Sequence, residues 1–190
     1  AIQQLGWGQW LVDSFTAVSS DGSASRLVAV TINGTNDVAV IGGVSTGAVS
    51  EDVNPVSGNL TTGGSLSIND GDQGQASFVA QASKAGLYGT FSLTAAGVWT
   101  YTASNSLAAI QQLGSGQSLV DSFTAVSSDG SASRLVSVTI NGTNDVAVIG
   151  GVSTGAVGED VNPVSGNLVA SGSLTIGDGD LGQASFVAQA

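Results

Sequence analysis

The chain has 190 residues, fourteen of them acidic and three basic, for a net charge of −11, with no cysteine and no histidine. That inventory excludes disulfides, thiolate metal sites, Ser-His or Cys-His catalytic pairs, and electrostatic attraction to nucleic acid or anionic lipid. With 42% apolar and 9% charged residues the chain is neither disordered nor a charged rod, and no stretch approaches the roughly 20 apolar residues of a membrane span.

Sliding the chain by 108 residues superposes positions 1–82 on 109–190 without a gap, and none of the ten differing pairs removes a carboxylate. A period of this length is too long for a solenoid unit and suits a separately cored sandwich domain. Residues 1–36 therefore supply the last two strands of one repeat, 37–144 a complete domain, and 145–190 the first three strands of the next. The N-terminus has no basic region followed by an apolar one, so the chain reads as an internal piece of something longer.

Across the complete repeat, period-two or β-branched runs predict seven strands: Val38 to Ile41, Ser65 to Ile68, Ala76 to Ala82, Tyr88 to Leu93, Val98 to Thr102, Leu119 to Val126 and Ser133 to Ile140. Between the fifth and sixth, Ser106 to Leu113 follows a cap candidate at Asn105 or Ser106 and predicts one short helix of about two turns. The turn Ala95-Ala96-Gly97 makes a hairpin that places Phe91, Leu93, Trp99 and Tyr101 on one inner face. These aromatics read as core. Trp7 and Trp10 correspond to Ser115 and Ser118 in the other copy and read as the packing of a rim, with a local contact surface as the alternative.

The run from Gly58 to Gly130 and its flanks carry a recognisable set of markers. Glu51-Asp52, Ser57-Gly58, Asp70-x-Asp72, Tyr88-Gly89, Gly97-x-Trp99-x-Tyr101, Leu113, Phe123 and Asn144-Asp145 together resemble the VCBS repeat of very large secreted bacterial adhesins. The resemblance spans 37–144 and both flanking partial copies. It implies an all-β, seven-stranded cadherin-like or immunoglobulin-like sandwich in tandem array, export by type I secretion to the cell surface, calcium dependence and a stalk role. Val38-Ala39 departs from the Ala-Pro common in these linkers, which implies a less stiff joint.

In a seven-stranded sandwich, loops two apart in order share an end. Asn36, Asp37, Asp70, Asp72 and Asp129 are then expected at one pole of the complete domain, with Asp13 facing them from the preceding repeat. Glu51, Asp52, Asp121, Asn144 and Asp145 are expected at the other pole, against Asp178 and Asp180 of the following copy. Converging carboxylates repel one another unless a cation sits among them. Calcium suits irregular loops because it takes 6 to 8 oxygens at about 2.3–2.6 Å in loose geometry. Asp70-Gly-Asp72 opens like an EF-hand loop, but its twelfth position is Gln81, and β-roll nonapeptides are absent.

The expected role is thus a non-catalytic, calcium-stiffened spacer whose partners are neighbouring repeats. A filament subunit that pairs with other copies through incomplete end domains is the alternative. The Asn33, Asn59 and Asn141 sequons read as products of turn composition, and a single Lys84 argues against isopeptide bracing.

Overall fold

A computed structural model describes residues 2–161 and 163–189. In chain order it contains a 3-10 turn at Ile2–Gln4, then β1 (Trp10–Val18), β2 (Ser25–Asn33), β3 (Val40–Gly43), β4 (Thr46–Ser50), β5 (Asn59–Asn69), β6 (Gln81–Ala85), β7 (Gly89–Leu93) and β8 (Val98–Ser104). A single helical turn α1 (Ala108–Gln111) leads to β9 (Ser118–Val126), β10 (Ser133–Asn141), β11 (Val148–Gly151) and β12 (Leu174–Gly177). The central repeat makes a five-stranded sheet in the order β3-β5-β8-β7-β6 and a three-stranded sheet in the order β4-β10-β9. This is the all-β, cadherin-like sandwich expected, with eight strands where seven were read.

The extra strand β4 and the early start of β5 share one cause, the indole of Trp99. Trp99 is fully buried and donates its ring N–H to the Val44 carbonyl at 2.7 Å. A Cβ on Gly47 or on Gly64 would sit 2.9 Å from indole atoms, so only glycine lets β4 and β5 approach the ring. Those glycines break the apolar alternation. β4 was consequently not expected at all, and β5 begins at Asn59 rather than Ser65.

Two other readings are corrected. In the run 76–82 only Gln81 and Ala82 lie in a strand: Phe78 makes one isolated bridge to Ser127, and β6 begins at Gln81, with a register shift between Gln81 and Lys84. The helix is one turn long, starts after Leu107 rather than Asn105 or Ser106, and has no side-chain cap. A peptide this short lacks the length to sustain a helix without tertiary support, which the buried Ile110 provides.

The hairpin stands as read. Phe91 lies opposite Tyr101 and Leu93 opposite Trp99, all four are buried, and Gly97 takes the positive φ of 90° that the turn requires. Phe91 packs against Tyr101 and Phe123 with ring centroids 4.5 and 4.8 Å apart.

Contacts divide the chain into two compact units. One comprises Ala1–Ala48, Thr61–Ala103 and Val120–Thr139, the other Val49–Leu60, Ser104–Leu119 and Ile140–Ala190. Each unit holds one of the two repeat boundaries.

Candidate cation-binding repeat boundaries

The first boundary is built where the Gly-Thr-Asn-Asp segment meets the loop after β5. Asp72 is buried, and its Oδ2 accepts the Asp37 N–H at 2.9 Å, while its own N–H donates to Asp70 Oδ1 at 2.8 Å. Gly71 lies between them in sequence, and a Cβ there would displace the Asp37 carboxylate. Asn36 donates its amide to the Asp37 carbonyl at 2.6 Å and to Asp129 Oδ2 at 3.1 Å. The Gln73 N–H donates to the Gln4 carbonyl at 3.0 Å and so ties the loop to the preceding 3-10 turn. Asn36, Asp37, Asp70, Asp72 and Asp129 are thus linked in one network.

The second boundary repeats that construction 108 residues on. Asp180 Oδ2 accepts the Asp145 N–H at 3.1 Å, the Asp180 N–H donates to Asp178 Oδ1 at 2.9 Å, and Leu181 donates to the Gln112 carbonyl at 3.1 Å. Asn144 again holds the following carbonyl, at 2.6 Å from Asp145. Here the Glu-Asp pair is also present. Glu51 is buried, and its Oε1 accepts the Thr143 N–H at 2.8 Å. Asp52 sits at φ 55°, with Oδ1 accepting from Asn105 at 2.6 Å and from Gln111 at 3.1 Å. The Gly-Thr-Asn-Asp segment is therefore a clip in both copies, since its Asn folds over its own backbone and its Asp engages the next loop, and in the second copy Thr143 also holds Glu51.

Electrostatics at the two networks differ by residue. Burial pushes the Glu51 carboxyl up, and repulsion from Asp52, Asp145 and Asp180 adds to it, against the opposing Thr143 hydrogen bond. Asp145 is raised by burial and then by Asp180, Asp52 and Asp178. Asp52 is lowered by its bonds from Asn105 and Gln111. At the first boundary burial opposes ionisation of Asp129, yet the Ser127 and Ser131 hydroxyls and the Asn36 amide outweigh it and hold the carboxyl well below its ordinary value.

Four carboxylate oxygens at these boundaries, Glu51 Oε2, Asp70 Oδ2, Asp72 Oδ1 and Asp180 Oδ1, are buried and have no hydrogen-bond partner. Buried polar atoms are normally satisfied, and a buried carboxylate oxygen without a donor points to a missing counter-charge. The donor set is all oxygen, which fits a hard cation and none of the softer metals. Among the described residues, however, no three His, Cys, Asp or Glu side chains already stand at coordinating distance from one point. The carboxylates would have to close in by small side-chain rotations.

Two residues assigned to these poles lie elsewhere. Asp121 is buried within the central repeat, where Oδ1 accepts from Leu87 and Ser122 at 2.8 and 2.9 Å, and Oδ2 from Tyr88, Gly89 and the Tyr101 hydroxyl at 2.9, 3.0 and 3.0 Å. Burial opposes its ionisation, but these donors prevail and lower its pKa, while burial and the Asp121 contact raise Tyr101. Such a carboxylate has its lone pairs committed to the fold. Asp13, its copy, lies on exposed β1 opposite Val30.

Neutral members of the networks escaped the reading of the acids. Gln75 contributes a buried Oε1 without a partner, Gln183 donates to Asp180 Oδ2 at 3.0 Å, and the Gln4 and Gln112 carbonyls accept across the boundary. Their only signal in the sequence is that each recurs at the repeat interval.

No curated protein matches the chain. A profile of the bacterial cadherin-like domain matches residues 36–142, the stretch running from the first boundary clip almost to the second. That match takes in more than half of the residues, and the chain belongs to the bacterial cadherin-like domain family, which is consistent with a structural, adhesion-type repeat.

Proposed function

We propose that this chain is a calcium-stiffened spacer, of the VCBS type, from a large secreted bacterial adhesin that holds cells to surfaces or to one another in a biofilm. The observation that supports it is the doubled boundary, in which the same bonds and the same unpaired buried oxygens recur in Asp72 and Asp180. Asp37, Asp70 and Asp72 would hold the ion at the first boundary, and Glu51, Asp145, Asp178 and Asp180 at the second. Bound calcium would supply the positive charge that relieves repulsion among these carboxylates. The protein's own part is positional. Asn36 and Asn144 fix the connecting backbone, Thr143 orients Glu51, and the backbone bonds from Gln73 and Leu181 set the spacing. Load bearing, with no catalysis, is the role this arrangement serves.

Thermal unfolding tests the reading. A ligand at a hundred times its dissociation constant adds about 2.7 kcal/mol, which moves the midpoint of a domain this size by about 5–10 °C. Calcium is expected to raise the midpoint by that amount relative to EDTA, and Asp72→Asn with Asp180→Asn to remove most of the shift. An unchanged midpoint would contradict it.

A second reading, a filament subunit joined through end domains, has one observation in its favour. The β1–β2 hairpin leaves Phe15, Val28 and Val30 exposed, whose copies Phe123, Val136 and Val138 are buried, and residues 145–189 repeat the sequence of β3, β4 and β5 but not that of the β7–β8 hairpin, whose Phe91 packs on Phe123. Sedimentation at high concentration separates the two: discrete monomers exclude the filament.

A further inference from the structure

The ten differences between the two copies include Trp7, which stands where the second copy has Ser115. Trp7 is 84% exposed, in a turn closed by the Gln9 N–H on the Gly6 carbonyl and by the Gly6 N–H on Gln9 Oε1, both at 3.0 Å. Gly8 takes a positive φ of 80°, so the turn is fixed rather than loose. Exposure here does not depend on how the preceding repeat is completed, because Ser115 is exposed too, in a repeat whose strands are all present. A large indole held at the surface by a tight turn lacks the structural explanation that Trp99 has.

Trp7 forms one wall of an open surface cleft of about 320 Å³, and the other walls are Asn36, Gln75, Ser128 and Asp129. That volume lies at the low end of the range of about 300–1,000 Å³ typical of small-molecule sites, and the cleft would leave one face of a ligand in solvent. Each polar wall is anchored. Asn36 donates to Asp129 Oδ2 at 3.1 Å, Ser128 Oγ donates to the Gln75 carbonyl at 2.9 Å, and Asp129 Oδ1 accepts from Ser131 at 3.2 Å. Such walls are already ordered before a ligand arrives, which lowers the entropic cost of binding.

The chemistry of the walls selects a class of ligand. An indole face packs well against a flat apolar surface with weakly positive C–H groups. A carboxylate, two amides and a hydroxyl around it offer both acceptors and donors at short spacing. No lysine or arginine lines the cavity, and the chain is strongly acidic, so anions are repelled. A quaternary ammonium ligand calls for a cage of several aromatic rings, and only one is present. We propose that this cavity binds a neutral sugar ring, with the pyranose C–H face on Trp7 and ring hydroxyls bonded to Asp129, Asn36 and Ser128. The first repeat boundary would then be a glycan contact as well as a joint, and the second, with Ser115, would be a joint alone.

The test uses the whole chain, labelled with ¹⁵N at its three tryptophan indoles, titrated with glucose, galactose, N-acetylglucosamine and their short β-linked oligomers. The expected result is movement of the Trp7 indole resonance alone, with magnetisation transfer from protein to sugar. Trp7→Ser, which installs the residue of the second copy, should weaken binding at least about tenfold while the Trp99 resonance stays in place, a sign of an intact core. Asn36→Ala should weaken binding with Trp7 still present. The proposal is overturned if no sugar moves Trp7, if Trp10 responds instead, if transfer persists in Trp7→Ser, or if choline gives the response and sugars do not.

Discussion

The hairpins β1–β2 and β9–β10 differ at only two of their twenty-four positions, Trp10/Ser118 and Ala29/Ser137, and their strands begin and end at equivalent residues. Their environments are opposite. Phe15 is 64% exposed and Phe123 is 3% exposed. Local sequence therefore suffices to define the strands and their register, with β-branched runs on either side of an Asp-Gly turn. For Phe123 the cover includes the β7–β8 hairpin of the central repeat, whose Phe91 packs on Phe123 and whose Tyr101 hydroxyl donates to Asp121. The turns themselves are self-sufficient: Asp21 accepts from Ser19 Oγ at 2.7 Å and from the Ser23 N–H at 3.1 Å, and these bonds hold its carboxyl at about 2.

That contrast is broken most forcefully by truncating the phenylalanines. Phe123→Ala should cost about 3–5 kcal/mol, the range for emptying a packed aromatic site, whereas Phe15→Ala should cost about 0.5 kcal/mol or less. Urea denaturation of the two variants measures both, and equal losses would mean that β1–β2 has a covered core of its own. Next come the matching carboxylates. Asp121→Ala strands three partly buried N–H groups of the Leu87–Gly89 turn and the buried Tyr101 hydroxyl, with an expected loss of about 3 kcal/mol, against almost nothing for Asp13→Ala.

The smallest effect is one of pH, read on the chain in EDTA. Glu51 and Asp145 have pKa values raised above 4.5 and 3.8 in the folded state, so folding takes up protons there, and stability should increase as pH falls from neutral toward those values. Asp121 and Asp129 are lowered below 3.8, so their contribution is complete above that pH and is lost as pH falls through their folded values. A midpoint that rises slightly and then drops on acidification is expected. With calcium present the rise should vanish, since protons and the ion compete for the same oxygens. A monotonic fall in EDTA would show that repulsion at the second boundary is absent.

Much of this was legible in the residues. The alternation around Phe91 and Trp99 located the core, and Asp70, Asp72, Asp178 and Asp180, which recur at the repeat interval, take part in hydrogen-bonded networks. What escaped has physical causes. Glycines that admit the Trp99 indole mask β4 and the start of β5, since their reason lies in a distant side chain rather than in local pattern. Asp121 looked like its acidic neighbours because charge alone does not show whether a carboxylate faces a partner repeat or caps a turn of its own domain; only the placement of Tyr101 and the Leu87–Gly89 turn decides it. The glutamines and backbone carbonyls of the boundaries carry no charge to draw notice.

The central claim is that the two boundaries each hold calcium. Crystals of this chain grown with calcium, and recorded at a wavelength where the metal scatters anomalously, test it most directly. The account predicts one or more anomalous peaks at each boundary, bonded to Asp72 in the first and to Asp180 and Glu51 in the second. Boundaries that hold only water in a calcium-replete crystal would contradict it.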